Sequence, residues 1–442
     1  MELVRMADPA YEDLRALFNG MIKKRPAVIA RCGSPSDVSE ALELAGRENY
    51  DVAVRAGGHS VAGMSLCDGG IVIDVRPMKD IAVDPDARRV RVGAGVTWGE
   101  LDRATQEHGL ATTGGRVSTT GVAGFTLGGG SGWAERSWGL ACDNLLSVDL
   151  VTADGRQVTA SADENADLFW ALRGGGGNFG VATAFEFRLH QLGPMVTAGL
   201  MIWAGEKAGA VAQVYRDCAH SGPDELGSGL VFLTGPPEEF VPAHLQGTTV
   251  AAVGILWVGA VDDGLEAVKP FTELEPDVDL VGPMPYADFQ CMLDDPPGHN
   301  NYWSADYHDS FPDEALDVFV KYGFERQSPL SQQILLPWGG EIARVAEDAT
   351  ALTNRDVSWI THPFAVWEDD ADNDRNIEWA RSFRRDIGQF ATGGVYLNFI
   401  GDEGEDRVRA AYGDAKYKRL AAIKGEWDPR NVFRGNQNIR PA

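Results

Sequence analysis

Arg55-Ala56-Gly57-Gly58-His59-Ser60-Val61-Ala62-Gly63 separates two apolar runs, Tyr50-Asp51-Val52-Ala53-Val54 and Ile71-Val72-Ile73-Asp74-Val75. Each run reads as a strand. The loop between them carries three glycines, small side chains and one imidazole. Glycine lets a backbone approach a ligand closely, and successive loop N–H groups can form an anion-binding concavity. The expectation is a loop that grips a cofactor, with His59 facing it.

Outward from this loop, the first eighty residues read as a small α/β unit. Tyr11–Ile22 has apolar residues at helical spacing. Residues 26–30 form a short strand. Ser34-Pro35 is a helix start, with Ser34 at the N-cap and Pro35 in the first turn of a helix to about Arg47. A second α/β unit follows, with a strand at Arg88–Val92 and a helix opened by Gly93-Ala94-Gly95. That GxG imitates a dinucleotide fingerprint, but its third glycine is misplaced and no acidic residue ends the next strand. A tight strand-to-helix turn is the better reading.

Two more glycine-rich segments follow. Gly114–Gly132 contains Val122, Phe125 and Leu127, which a flexible linker would lack, so an ordered loop beside a ligand is expected. Helix Asp167–Arg173 ends in Gly174-Gly175-Gly176-Gly177 and leads to the strand Ala184–Leu189. Near Gly193-Pro194 glycine thins and aromatics rise. Strand-like runs at Val196–Trp203, Gly229–Leu233, Val250–Trp257, Ser331–Leu336 and Trp359–Trp367 alternate with helix-like runs at Ala208–Ala219, Asp313–Tyr322 and Asn373–Ile387. They imply a second domain, an antiparallel sheet with helices. The tail carries helical stretches at Arg407–Tyr412 and Tyr417–Gly425 and then Asn431-Val432-Phe433-Arg434-Gly435-Asn436-Gln437-Asn438-Ile439.

The 442 residues suffice for two domains, and a hydrophobic content of 44% suits a folded protein. A formal net charge of −26 disfavours nucleic acid or an anionic membrane as partner. Five scattered cysteines make neither a disulfide framework nor a metal cluster. The N-terminal segment mixes acids and bases, and no run reaches the ~18 apolar residues of a membrane span. A soluble cytoplasmic protein without a metal is expected. Oligomeric state is not legible.

Five segments in collinear order (RAGGHS, GVAGFTLGGGSGW, LRGGGGNFGVAT, YLNF and NVFRGNQNI) resemble the berberine-bridge-enzyme-like branch of the vanillyl-alcohol oxidase flavoproteins. The likeness covers nearly the whole chain. It implies an α+β fold: a PCMH-type FAD-binding domain of two α/β subdomains (about 1–80 and 81–193), an antiparallel substrate domain covered by helices (194–395), and a C-terminal return to the first domain (396–442). It implies FAD attached covalently through His59. Relatives with a second tether carry a cysteine where this chain has Val117, so a single link is expected. Phe125 stands where relatives have His. The backbone of Arg55, Ala56, Gly57, Gly58, His59, Ser60 and Gly63 is expected at the pyrophosphate. Thr119, Thr120, Gly121, Gly124, Gly128 and Ser131 are expected at phosphates or rings, Gly180 and Val181 at the adenine end, and Asn436 and Asn438 at the isoalloxazine. Thr120 matches a position thought to gate oxygen, and its small side chain resembles oxygen-permissive versions.

Gly393–Phe399 reads as a strand that puts Tyr396 and Asn398 on one face. The resemblance gives this YxN element the base, Tyr396. A free phenol titrates near ~10, so Tyr396 needs help to ionise. Tyr302, Tyr307, His308, Asn354, Arg355 and His362 could line a pocket or be structural, and Trp303, Trp338, Trp359 and Trp367 could be an aromatic wall or core. The expected activity is an FAD-linked oxidase that takes hydride to flavin N5 from an alcohol, sugar or amine and passes the electrons to O2, giving H2O2. The alternatives are a dehydrogenase with another acceptor, or a flavoprotein without turnover.

Overall fold

Ser34 starts the first long helix with a reciprocal capping box. Its hydroxyl accepts from the Asp37 N–H, and the Asp37 carboxylate accepts from the Ser34 N–H. Such a cap contributes about 1 kcal/mol, and the helix runs Pro35–Glu48. The structure is a computed structural model that describes residues 1–442. The helix covers a four-stranded sheet in the order Glu2–Arg5, Val28–Arg31, Ile71–Asp74, Val52–Arg55, whose last three strands are parallel. The His59 loop leaves the end of Val52–Arg55, the edge of that sheet.

A second, wholly antiparallel sheet has the order Ile81–Asp84, Arg89–Gly93, Val181–Arg188, Leu145–Val151, Gln157–Ser161. Both sheets share one apolar core, which joins Val28 and Ile73 to Val92, Val148 and Phe185.

The third sheet has nine strands, all antiparallel. Its main path runs Val278–Asp279, Met195–Ala204, Thr249–Trp257, Leu226–Thr234, Gln332–Pro337, Trp359–Trp367, Asn300–Trp303. Helices Ala208–Ala219, Asp313–Phe324 and Asn373–Ile387 cover one face, through Tyr215, Phe319 and Phe383 packed on Trp203, Phe232 and Trp359. The other face meets the glycine-rich loops. Strand Trp359–Trp367 is buried on both faces, and its period of two sorts the side chains. Trp359, Ala365 and Trp367 join the helix-side core, whereas Ile360 joins Tyr307, Trp338 and Tyr396 on the opposite side. No helix is long and apolar enough to cross a membrane.

Three local expectations need correction. The first helix is only Tyr11–Arg15. After it Leu17, Phe18 and Asn19 turn inward and are buried, and the Phe18 N–H bonds the Gly58 carbonyl instead of continuing a helix. The Gly114–Gly132 segment holds a short helix, Val122–Leu127, that glycine content had masked. Gly393–Phe399 is not a strand, because Gly393 takes φ 88° and Leu397–Phe399 closes a 3-10 turn. The two expected tail helices are both present within Glu405–Trp427, separated by a kink at Gly413 with φ 66° and ψ 159°.

Within the second of these helices, the fully buried Lys424 ammonium ties the tail down. It donates to Asp428 Oδ2 at 2.8 Å and to the carbonyls of Asn178 and Phe433 at 2.6 and 2.9 Å. A buried charge is tolerated only when paired and saturated in this way.

Candidate functional site

The two expected cofactor loops meet glycine to glycine. A Cβ on Gly57 would lie 2.3 Å from the Gly121 nitrogen, and one on Gly121 would lie 2.4 Å from the Gly57 nitrogen. No other residue type allows that approach. The N-terminus of helix Val122–Leu127 is therefore set directly against the His59 loop. Nothing lies within 4 Å of a Cβ built on Gly124, so this turn of the helix faces open space.

His59 sits at the junction. Thr119 Oγ1 lies 3.0 Å from its Nε2 and Thr120 Oγ1 3.5 Å from its Nδ1. Phe18 stacks on the ring at 4.4 Å. Burial, outweighing the attraction of Asp294, lowers the imidazole pKa to about 4. At neutral pH the ring is an uncharged nucleophile.

The chain around His59 is pinned by residues that local patterns did not single out. Asn19 Nδ2 donates to the carbonyls of Val61 and Asn301, and its Oδ1 accepts from the Met21 and Asn301 N–H groups, joining the loop to the large sheet. The Asp294 carboxylate accepts from the Ser118 N–H at 2.6 Å and hydroxyl at 2.5 Å, fixing the Val117–Thr120 turn. The Arg55 guanidinium is spent on the Leu14 and Ala16 carbonyls, and its own carbonyl accepts from the Val75 N–H, so Arg55 is tied into the sheet at the root of the loop.

An aromatic ribbon leads away from His59. Phe18 lies 6.1 Å from Trp303, Trp303 5.8 Å from His362, His362 stacks on Phe399 at 4.4 Å, and Phe399 meets Tyr396 edge-on at 4.8 Å. Tyr307 and Trp338 extend it behind Tyr396. Trp303 and Trp338 thus belong to this ribbon, while Trp359 and Trp367 belong to the helix-side core.

Tyr396 and Asn398 do come together, through the turn and not a strand face. Tyr396 Oη accepts from the Gly130 N–H at 2.7 Å, the Ser131 N–H at 2.9 Å and Asn398 Nδ2 at 3.0 Å. The same Nδ2 donates to the Phe125 carbonyl at 3.0 Å, which fixes the amide orientation. A phenol oxygen has two lone pairs and must also donate its proton; three N–H donors match a phenolate. Burial drives the Tyr396 pKa above its ordinary value, and these three bonds oppose that rise. Arg116 stiffens the donor segment from behind, reaching Ser131 Oγ, the Gly132 carbonyl and Glu135, while Glu135 accepts from the Gly132 N–H.

Of the other polar candidates, Arg355 makes a buried two-point bridge to Asp143, and both His308 nitrogens are bonded, near the Phe390 carbonyl and Thr361 Oγ1. Both are structural. Tyr302 lies under Arg381, and Asn354 bonds Thr353. The Tyr307 hydroxyl is buried without a partner beside a small cavity lined by Gly128, Val395 and Leu397. Cys142 lies behind the Gly128–Gly132 loop, its N–H on the Gly129 carbonyl, and burial pushes its thiol pKa well up.

At the far end, Asn436 Nδ2 donates to the Gly177 and Phe433 carbonyls, and Ile439 N–H to Asn178 Oδ1. The Oδ1 atoms of Asn436 and Asn438 are buried without a donor. Val181 is core, and a Cβ on Gly180 would meet the Val151 carbonyl at 2.8 Å. The main chain of residues 57–60 and 119–121, the open face at Gly124 and two orphaned amide oxygens fit a ligand with anionic and N–H or O–H groups, as FAD has.

Known proteins resemble this chain along its length. Residues 26–161 match the FAD binding domain family, and residues 395–440 match the family described as berberine and berberine like. The (R)-6-hydroxynicotine oxidase of Paenarthrobacter nicotinovorans is 31% identical, across 100% of this chain and 96% of its own. The FAD-linked oxidoreductase YvdP of Bacillus subtilis, itself uncharacterised, is 30% identical across 98% and 97%. The crystal structure of 6-hydroxy-D-nicotine oxidase from Arthrobacter nicotinovorans superimposes with a TM-score of 0.88 at 27% identity, covering 100% of this chain and 98% of that one. A xylooligosaccharide oxidase from Myceliophthora thermophila, at 22% identity, shares the fold with a TM-score of 0.86.

Proposed function

Because this chain belongs to the berberine-bridge-enzyme-like FAD-linked oxidoreductases of the vanillyl-alcohol oxidase superfamily, we propose that it is an oxidase with FAD attached through His59 alone. Its substrate is a small alcohol, sugar or amine, and O2 is the final acceptor. Residues 1–193 and the tail 396–442 form the cofactor half in this reading, and residues 194–395 form the substrate half. When bound, FAD supplies the hydride acceptor and the route of electrons to O2.

The observation that carries the reading is the set of three N–H donors on Tyr396 Oη, at the end of an aromatic ribbon that starts at His59. Tyr396 takes the proton from the substrate O–H or N–H as the adjacent C–H bond breaks. Asn398 and the Gly130–Ser131 main chain oppose the rise that burial imposes on the phenol and so ease the loss of its proton, which a base must first give up. The ribbon excludes water and offers aromatic faces and edges to a planar substrate. His59 is the nucleophile for attachment: it is neutral at pH 7, and Thr119 and Thr120 orient its ring. The Oδ1 atoms of Asn436 and Asn438 accept from FAD, and the main chain of residues 57–60 faces its phosphates. Thr120, small and beside His59, leaves O2 a path.

Acid precipitation tests the tether, since a yellow, fluorescent pellet is expected and a colourless one removes it. A panel of alcohols, sugars and amines, scored by anaerobic bleaching of the flavin, tests the oxidation. Photoreduced enzyme mixed with aerated buffer tests the acceptor, and slow reoxidation removes O2 from the proposal.

A further inference from the structure

His362 differs from the buried His308 in one respect. Its Nδ1 lies 2.7 Å from the Ser304 carbonyl, so Nδ1 carries the proton and Nε2 is a bare acceptor. His308 has a partner at both nitrogens, whereas His362 Nε2 has none, although the residue is only 3% exposed. Unlike the orphaned Tyr307 hydroxyl, Nε2 is not sealed from solvent, so it keeps exposed surface and is free to accept from a bound molecule.

Strand parity shows where the ring stands. His362 alternates with Thr361, whose hydroxyl bonds His308, and shares its face with Ile360, which packs with Tyr396, Tyr307 and Trp338. Its ring stacks on Phe399, with Trp303 and Phe364 edge-on at 5.8 and 5.5 Å. Charge nearby is internally cancelled, because Arg116 and Glu135 are paired at 3.0 Å. The ring itself stays neutral: burial lowers its pKa to about 4, against the pull of the Ser304 carbonyl and with a smaller contribution from Arg116.

We propose that His362 Nε2 is a substrate-positioning acceptor, selecting an uncharged, flat ring that carries a hydroxyl or N–H donor. The proposal rests on the reading that substrate occupies the ribbon between His59 and Tyr396. It assigns no proton transfer to His362, which fixes the ring's register through one hydrogen bond while Tyr396 serves the reacting carbon.

Phenol and anisole, nearly isosteric rings with and without the donor, are the probes. Binding of each to the flavin-loaded enzyme is measured by calorimetry at pH 7, with no turnover required. The wild type is expected to prefer phenol about tenfold, the worth of one hydrogen bond. His362→Asn keeps a donor for the Ser304 carbonyl but has nothing at the Nε2 position, and is expected to lose the preference. His362→Gln, whose amide oxygen reaches that position, is expected to keep most of it. The proposal is overturned by equal binding of the two probes to the wild type, by no binding of either at millimolar concentration, by a preference that survives in the Asn variant, or by a Gln variant that discriminates no better than Asn. An enzyme that shows the preference yet is reduced by no compound in the panel would sink the oxidase reading and leave His362 Nε2 standing as a ring-binding acceptor alone.

Discussion

Tyr396→Phe separates a base from an ordinary core tyrosine, because the two roles predict different costs. A core tyrosine typically donates its proton to an acceptor, and its loss costs about 1 kcal/mol. Tyr396 instead accepts from Gly130 N–H, Ser131 N–H and Asn398 Nδ2. Phenylalanine leaves both main-chain N–H groups buried without an acceptor, while Asn398 keeps the Phe125 carbonyl. At about 1–3 kcal/mol for each stranded donor, the loss is roughly 2–6 kcal/mol, visible as a lower urea midpoint with an unchanged slope. Loss of a general base also slows anaerobic flavin reduction by roughly 10²–10⁴. Asn398→Ala removes one of the three donors and should slow reduction less. In the double variant the effects should not add, because the Asn398 donation matters only while Tyr396 Oη is there to accept it. A Tyr396→Phe enzyme that reduces its flavin at the wild-type rate refutes the assignment, whatever its stability. A variant with wild-type stability refutes the account of the three donors.

His59→Ala should release its flavin to the supernatant on acid precipitation while wild type keeps it; flavin retained in the variant pellet would place the bond elsewhere. Gly57→Ala drives a methyl to 2.3 Å from the Gly121 nitrogen, so the loops must part, at about 1–3 kcal/mol. The expected result is a purified protein with reduced flavin content, and full occupancy would show that the contact is dispensable. Asp102 is fully buried, accepts only from Gln290 Nε2 at 3.0 Å, and burial raises its pKa to about 7. A carboxyl raised on folding holds its proton when the unfolded chain has lost it, so its contribution is full below about pH 4 and fades as pH climbs to about 7. Asp102→Asn, which can also donate to the unpaired Gln290 Oε1, should therefore be stabilising at pH 8 and near neutral at pH 4 by urea titration. Equal effects at the two pH values would contradict the assignment.

What the chain reveals in one dimension follows the range of the interaction concerned. The Ser34–Asp37 cap, the helix Asn373–Ile387 and the strand Trp359–Trp367 are local, and pattern reading finds them at or near their ends. The helix Val122–Leu127 was hidden because its glycines serve contacts with Gly57 and open space at Gly124, not flexibility. The strand expected around Tyr396 failed for the converse reason: alternation was present, but Gly393 turns the chain and no neighbouring strand supplies a ladder. Tyr396 and Asn398 meet anyway, since a tight turn also brings residues two apart into reach of one oxygen. Asn19 and Asp294 gave no local signal, because their partners lie 282 and 176 residues away. His362 is the instructive middle case. Period two within Trp359–Trp367 already sorts it with Ile360 and Phe364, away from Trp359, Ala365 and Trp367. Which of those faces looks on the glycine loops is decided by three helices packing on the other, a fact held by residues 208–219, 313–324 and 373–387. A histidine's role here is thus half written in its own strand and half in the helices that claim the opposite side.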